Sequence, residues 1–508
     1  MKVPGFAPFR KVIGLMSTIA PVPYQGWTKQ FIAGAWREGS SATTTIVDQN
    51  PYDGSEIVRI QGASVDDVND AYAAAVEAQP AWAALLPRER AEVLMRAARV
   101  FEERFDEIVD LLAREAGATS FWSHQISRHA AICCSEAAGY AQGAAGVMLP
   151  SLQKDQQSNV YRKPVGVLSL ITSWNSPINL TLRALAPALA LGNAVVLKPA
   201  SETPITGGLF HAKVFEEVGL PKGLFSVIVG ASAEIADRLT GHDDAAAVSF
   251  TGSTRVGRSL IAQNATNSRM KRMGLELGGN APLVVLDDAD LDLAAKAIIF
   301  GRFLHQGQIC MSTNRVIADA KVHDALVERL VPLVNALPIG DPADPKTVVG
   351  PLMTKKAVEA VVEKIEKAKA EGARMVIGGE AQGNVVPPHL FVDVKPHHEL
   401  ANVEIFGPVL PIIKVSGDKE ALALANNTEF GLASAVFSGN LRRAERFADG
   451  IEAGMTNIND QTVQTDIYGP FGGEKNSGMG HFNGEWIIEE FTRPHWITRQ
   501  LTPREYPF

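Results

Sequence analysis

Cysteine is scarce: three residues in a chain of 508, two of them adjacent, Cys133 and Cys134. Three thiols cannot build a disulfide framework, so the sequence suits a reducing compartment and leaves Cys310 as a free thiol. Basic excess is also missing. A formal net charge of −8 gives no electrostatic footprint for nucleic acid or for an anionic membrane. No charge run marks a binding tail, and no internal repeat or low-complexity tract interrupts the chain. Long apolar runs are absent too. The richest, Ala184 to Leu197, is broken by Pro187, Gly192 and Asn193 and falls short of a membrane span. Residues 1–28 carry scattered prolines and one weak apolar stretch, Val12 to Met16, without the unbroken core and cleavage site of a secretory signal. A flexible arm is expected there, with Met16 as an alternative start, and the protein is expected to be cytoplasmic.

What is present reads as an α/β enzyme of two or three units, because 508 residues exceed a single core. Between Leu94 and Leu112, apolar residues recur every three or four positions, predicting one long amphipathic helix. From Val165 onward, short apolar runs (Val167 to Ile171, Ala194 to Leu197, Phe225 to Val229, Ala246 to Phe250) alternate with helix-length segments. Runs without polar alternation suit strands buried on both faces, hence a doubly wound parallel sheet. One crossover helix has Thr203 as N-cap, Pro204 in its first position and Gly219 at its end. A second α/β segment follows, with a helix from Leu291 to Phe303 capped by Asp290, and another from Lys355 to Glu371 whose charged face is solvated. Met148 to Tyr161 is polar and β-like, and Trp486 to Gln500 reads as a strand. The expected division is a doubly wound, dinucleotide-binding unit at 29–146 and 163–280, a second α/β unit at 281–482, and two β pieces at 147–162 and 483–508 with no obvious home in either core.

Four short segments carry chemistry. Cys310 ends Phe303-Leu304-His305-Gln306-Gly307-Gln308-Ile309-Cys310, and Glu276 lies in Met273-Gly274-Leu275-Glu276-Leu277-Gly278-Gly279-Asn280. A thiol is a good nucleophile and a carboxylate can activate water, so the pair suits acyl chemistry. Ile171-Thr172-Ser173-Trp174-Asn175-Ser176-Pro177 ends an apolar run, and Glu404-Ile405-Phe406-Gly407-Pro408-Val409 is compact. Taken singly, each has a plain structural reading: a buried cysteine, an ion-paired acid, a strand-end turn. Cys133 and Cys134 keep that reading, and His305 is expected to pack near its turn rather than act as a base. No G-x-G-x-x-G follows the first strand. Phe250 to Gly257 follows a strand and opens a helix whose terminal amides could meet a pyrophosphate.

Together, in this order and spacing, the four segments resemble the aldehyde dehydrogenase superfamily, from Phe31-Ile32-Ala33-Gly34-Ala35-Trp36 to the last twenty residues. The resemblance implies Cys310 as nucleophile, Glu276 as the base for hydrolysis and Asn175 as oxyanion donor. It implies NAD or NADP bound along Ile171, Thr172, Ser173, Trp174, Lys198, Ser201, Gly230, Ser253, Gly257, Leu277, Glu404 and Phe406. The resemblance makes 281–482 the catalytic unit and the two β pieces, 147–162 and 483–508, an oligomerisation element that pairs across subunits, so a homodimer or homotetramer is expected. Two departures bear on specificity. Ser173 and Ser176 stand where many members have a proline and a bulky aromatic. The small Ser176 widens the substrate tunnel, with Arg183 expected at its mouth and Ile309 beside the nucleophile. That favours a flat ring, and the stretch from Leu180 to Ser201 looks most like the benzaldehyde and other aromatic aldehyde dehydrogenases. Ser201 replaces the glutamate with which NAD-preferring members hold the ribose, which removes repulsion against a 2′-phosphate, although Glu202 adjoins it. A CoA-acylating relative needs no water-activating base, and a non-catalytic binding protein needs neither group, so Glu276 and Cys310 argue against both. No metal is expected, and no nucleic acid or membrane partner.

Overall fold

The structure, a computed structural model, describes residues 21–508. Most of the expected arm at 1–28, with the Val12 to Met16 stretch, lies outside the described residues. Two short antiparallel strands, β1 (Gln30–Ile32) and β2 (Ala35–Arg37), open the fold, and β3 (Thr45–Gln49) pairs with β4 (Glu56–Gln61) as a hairpin. After a helical stretch come β5 (Val147–Leu149), β6 (Gln156–Pro164), β7 (Val167–Ile171), β8 (Ala194–Lys198), β9 (Phe225–Val227), β10 (Ala245–Thr251) and β11 (Arg272–Glu276). Strands β7 to β11 form a parallel sheet in the order β9-β8-β7-β10-β11. Numbered from β7, that is 3-2-1-4-5. The order reverses between β7 and β10, so a crevice opens beyond their carboxyl ends, where doubly wound sheets bind ligands. Strands β7 and β8 are buried almost throughout because crossover helices cover both faces.

The second unit is another mostly parallel sheet, made from β12 (Pro282–Val285), β13 (Arg315–Asp319), β14 (Arg374–Ile377), β15 (His389–Val392), β16 (Val409–Val415), β18 (Ala433–Phe437) and β19 (Met455–Ile458), with β14 as its antiparallel edge. Between the last members, β17 (Phe430–Gly431) pairs with β20 (Glu474–Lys475). Next, β21 (Gly478–Met479), placed by the sequence in the catalytic unit, returns to the first sheet and pairs antiparallel with β11. The helix Leu291–Phe303 forms as read, with Asp290 Oδ1 accepting the amide protons of Asp292 and Leu293.

Several expectations need correction. The stripe from Leu94 to Leu112 belongs to two helices, Pro87–Glu103 and Phe105–Ala116. They break at Arg104, whose guanidinium binds Glu107 and Glu217 and lies 3.4 Å from the Tyr24 ring centroid. Thr203 does not cap its helix: its hydroxyl has no partner, and the amides of Ile205 and Thr206 donate instead to the Glu115 carboxylate at 2.7 and 2.8 Å. The first turn, Ile205–Leu209, is a π-helix that runs into Phe210–Glu217. The tail is a strand only from β22 (Thr492–Gln500). Trp486–Phe491 is a helix, because Ile487, Ile488 and Phe491 all turn into the first core. Finally, β22 pairs with β6 along its whole length within this one chain, and β5 extends the sheet. The order β22-β6-β5 leaves β22 and β5 as the two edges of this sheet.

Candidate functional site

Cys310 follows an unusual turn. His305, Gln306 and Gly307 all have positive φ (49°, 56° and 76°), a conformation that costs the two non-glycine residues about 1–3 kcal/mol each. Side chains hold it there. Gln306 Nε2 donates to the carbonyls of Gly117 (3.1 Å) and Pro351 (2.8 Å), Arg302 donates to the carbonyls of Thr313 and Gly407, and the Met353 amide donates to Gln308 Oε1. His305 is buried and stacks on Trp122, as expected of a packing residue. The turn delivers Cys310 beneath the end of β11. Of the three cysteines it alone keeps partial exposure to solvent.

The Cys310 Sγ lies 3.8 Å from Glu276 Oε1. What lets the two approach is Gly278-Gly279: a Cβ on Gly279 would fall 2.3 Å from the Cys310 carbonyl oxygen, and one on Gly278 would fall 2.8 Å from Glu404 Oε2. This segment is fixed by Ser477, whose hydroxyl donates to the Gly278 carbonyl at 2.7 Å, and by Glu404 Oε1, which accepts the Gly279 amide proton at 3.0 Å. Burial pushes the Cys310 thiol well above its ordinary range, the Glu276 charge pushes it further, and Arg183 opposes them. Asn175 stands opposite. Its Nδ2 donates to the Gln308 carbonyl at 2.9 Å, which leaves a second N–H free of that bond, and its own carbonyl accepts from Trp122 Nε1 at 3.2 Å.

The expected cofactor residues gather at the crevice with different degrees of engagement. Ile171 ends β7 level with Lys198 on β8 and Phe250 on β10. Thr172 is buried and its hydroxyl accepts from Thr181, so it turns inward, whereas Ser173 and Trp174 are half-buried. The Trp174 ring meets Phe406 edge-on at 5.6 Å, and Phe406 holds a φ of 54°. Lys198 is buried, with its Nζ donating to the Pro199 carbonyl at 3.3 Å, and burial lowers the amine to about 8. Ser253 caps the helix Thr254–Thr266 by accepting the Val256 amide proton, and Gly257 sits so near Leu277 that a Cβ would fall 2.6 Å from its Cδ2. A Cβ on Gly230 would likewise fall 2.9 Å from Ile235 Cδ1. Glu404 is half-buried, and the loss of solvent around its carboxyl raises it to about 7. Ser201 and Glu202 line a cavity of about 390 Å³ that also touches Gln49, Asn50 and Lys355.

Among the residues expected at the substrate, Ser176 is buried with its hydroxyl unpartnered, and Ile309 is buried in the first core. Arg183 is a correction. It lines no tunnel mouth: its side chain is 5% exposed and its guanidinium donates to Glu276 Oε2 at 2.5 Å. The reading of the sequence missed that pair, as it missed Trp122. The one available signal was that Arg183 is the only charged residue of the helix Pro177–Ala190, otherwise buried nearly all round. Among the described residues no group of three or more His, Cys, Asp or Glu side chains could hold a metal ion, and no helix is long and apolar enough to cross a membrane.

Two α/β units facing each other across a thiol and a carboxylate, beside a dinucleotide-type crevice, describe a class of oxidoreductase fold, and the comparisons with known proteins name it. Residues 36–497 match the aldehyde dehydrogenase family, and the chain belongs to that family. It is 47% identical over 472 residues to a vanillin dehydrogenase of Corynebacterium glutamicum, covering 92% of this chain and 97% of that protein. It is 41% identical over 485 residues to a benzaldehyde dehydrogenase of Bacillus subtilis, covering 96% and 99%. Among solved structures, a salicylaldehyde dehydrogenase of Pseudomonas putida complexed with salicylaldehyde superposes with a TM-score of 0.91 at 37% identity, covering 94% of this chain and 99% of that one.

Proposed function

We propose that this chain oxidises aromatic aldehydes to carboxylic acids with NAD or NADP, through a covalent intermediate on Cys310. The observation that carries the reading is the 3.8 Å approach of the Cys310 thiol to the Glu276 carboxylate. The sulfur adds to the aldehyde carbon as its proton is released to solvent, and the resulting oxyanion is met by the free N–H of Asn175, a donor worth roughly 2.7–4 kcal/mol. Loss of hydride from that carbon leaves a thioester on Cys310. Glu276 then takes a proton from water, the hydroxide attacks the acyl carbon, and the acid departs as the thiol is restored. A bound nicotinamide dinucleotide supplies the hydride acceptor. The residues fit one: Lys198 is a buried amine with donors to spare, the helix opened by Ser253 points its first amides at the crevice, and Glu404 is a half-buried acid beside Phe406. Thr172 is engaged inside the protein, so its part falls to the backbone, whereas the exposed Ser253 caps its helix as an acceptor and keeps its own O–H donor.

The aromatic preference rests on Ser176, a small residue with an unpartnered hydroxyl beside Asn175, and on relatives named for vanillin, benzaldehyde and salicylaldehyde. Glu276 favours hydrolysis over transfer to CoA. A homodimer or homotetramer follows from the apolar side chains exposed on the β5-β6-β22 sheet, among them Met148, Leu149, Trp496 and Ile497. The test is a panel of aromatic and aliphatic aldehydes with NAD, NADP and CoA, run on wild type and Cys310→Ala. Expected are acid formation without CoA dependence, the highest kcat/KM for an aromatic substrate, and no turnover in the variant. Residual turnover above a few per cent in Cys310→Ala would remove the nucleophile assignment.

A further inference from the structure

Arg183 reaches the site from the helix Pro177–Ala190, and every contact of its head group bears on Glu276 or braces that contact. The same Nη2 that donates to Glu276 Oε2 also donates to Thr251 Oγ1 at 3.0 Å, at the end of β10, beside β11. The guanidinium carbon lies 4.7 Å from the centroid of the Phe471 ring and 4.4 Å from that of Phe482, two aromatic faces that attract a cation. Those rings are tied together by reciprocal backbone bonds, 2.9 Å from the Phe471 amide and 2.8 Å from the Phe482 amide. Mere packing at this place would be served better by an apolar side chain, since a buried guanidinium is costly and its Nε finds no partner. What the arginine adds is a fixed charge directed at one oxygen of a carboxylate that is itself 1% exposed.

We propose that Arg183 is a positioning residue for the base, a clamp that engages Glu276 Oε2 and so leaves Oε1 directed at Cys310. The proposal rests on the reading of Glu276 as the water-activating base. With Oε2 engaged, the carboxylate cannot rotate away from the thioester, and its buried charge stays countered by the guanidinium.

The test is a double-mutant cycle on the full-length enzyme, read in single turnovers with benzaldehyde and NAD so that NADH formation and the subsequent acyl hydrolysis are timed separately. The enzymes are wild type, Arg183→Met, Glu276→Gln, the double variant and Arg183→Lys, each first checked for thermal unfolding and NAD binding. Glu276→Gln is expected to slow hydrolysis by roughly 10²–10⁴-fold, the usual worth of a general base. Arg183→Met should slow hydrolysis at least about 10-fold, as members of one ion-pair network do, and more than it slows NADH formation. Adding Arg183→Met to Glu276→Gln should bring no further loss, because the clamp has no base left to hold. Arg183→Lys should recover part of the rate, since it keeps the charge but not the fork. Hydrolysis within about twofold of wild type in Arg183→Met, equal losses in both phases, or losses that multiply in the double variant would each overturn the clamp. Normal hydrolysis in Glu276→Gln would instead overturn the base, and the clamp with it. Should Arg183→Met fail to fold, the same cycle is run with Arg183→Lys, whose loss must likewise vanish in the Glu276→Gln background.

Discussion

Replacing Gly279 by alanine places one methyl group where the structure has no room. The added Cβ would lie 2.3 Å from the Cys310 carbonyl oxygen and 3.4 Å from Leu432 Cβ. Ordinary contact begins near 3.4 Å, so the methyl stands roughly 1 Å too close to the nucleophile's backbone while Leu432 closes the opposite side. Strand retreat is opposed by the Gly279 amide bond to Glu404 and by Ser477 on the Gly278 carbonyl. Cys310 must therefore shift, and a misplacement of about 1 Å costs on the order of 10²-fold in rate, or about 2.7 kcal/mol. Gly274→Ala is the control, since its Cβ would meet only Glu490 Oε2, at 3.9 Å. Steady-state kcat with benzaldehyde and NAD, alongside thermal unfolding, checks both. The expected result is a kcat lower by about 10²-fold in Gly279→Ala and within about twofold of wild type in Gly274→Ala. A Gly279→Ala enzyme within about threefold of wild type, or two variants equally impaired, refutes the claim that this glycine sets the approach of thiol and carboxylate.

Asp48 is buried, and burial followed by the charge of Glu115 pushes its carboxyl up to about 10. Protonated when folded and ionised when unfolded, it contributes stability that is complete below about pH 4 and is lost as pH rises toward its folded value. Asp48→Asn should therefore lose less Tm than wild type between about pH 6 and pH 9, and parallel curves would contradict this. Ser176→Phe should lower kcat/KM for benzaldehyde by the equivalent of about 1–3 kcal/mol of overpacking while sparing acetaldehyde. A wild type that prefers acetaldehyde to every aromatic aldehyde would show the pocket argument to be wrong. Ser201→Glu should weaken NADP far more than NAD, because like charges brought together cost several kcal/mol. Equal effects on the two dissociation constants would place Ser201 away from the ribose.

Elements whose causes are local could be read from the sequence. Val167–Ile171 is an apolar run bounded by turn residues, and Leu291–Phe303 carries its own cap in Asp290. Elements shaped by distant partners could not. The break at Arg104 depends on Glu217, 113 residues away, and the π-turn after Pro204 leans on Glu115, about 90 residues upstream. Strand β21 was invisible because two residues carry no periodicity. The site divides in the same way: Cys310, Glu276 and Asn175 each lie in a short motif, and the fold brings them together. Arg183 was misplaced because its meaning lies in a partner 93 residues along the chain.

The most direct measurement is mass spectrometry of the Glu276→Gln enzyme, quenched with acid after incubation with benzaldehyde and NAD. With hydrolysis slowed by roughly 10²–10⁴-fold, a benzoyl thioester should accumulate, and peptide mapping should place it on Cys310 with no label on Cys133 or Cys134. An acyl group on any other residue, or NADH formed in a single turnover with Cys310 never acylated, would contradict the account.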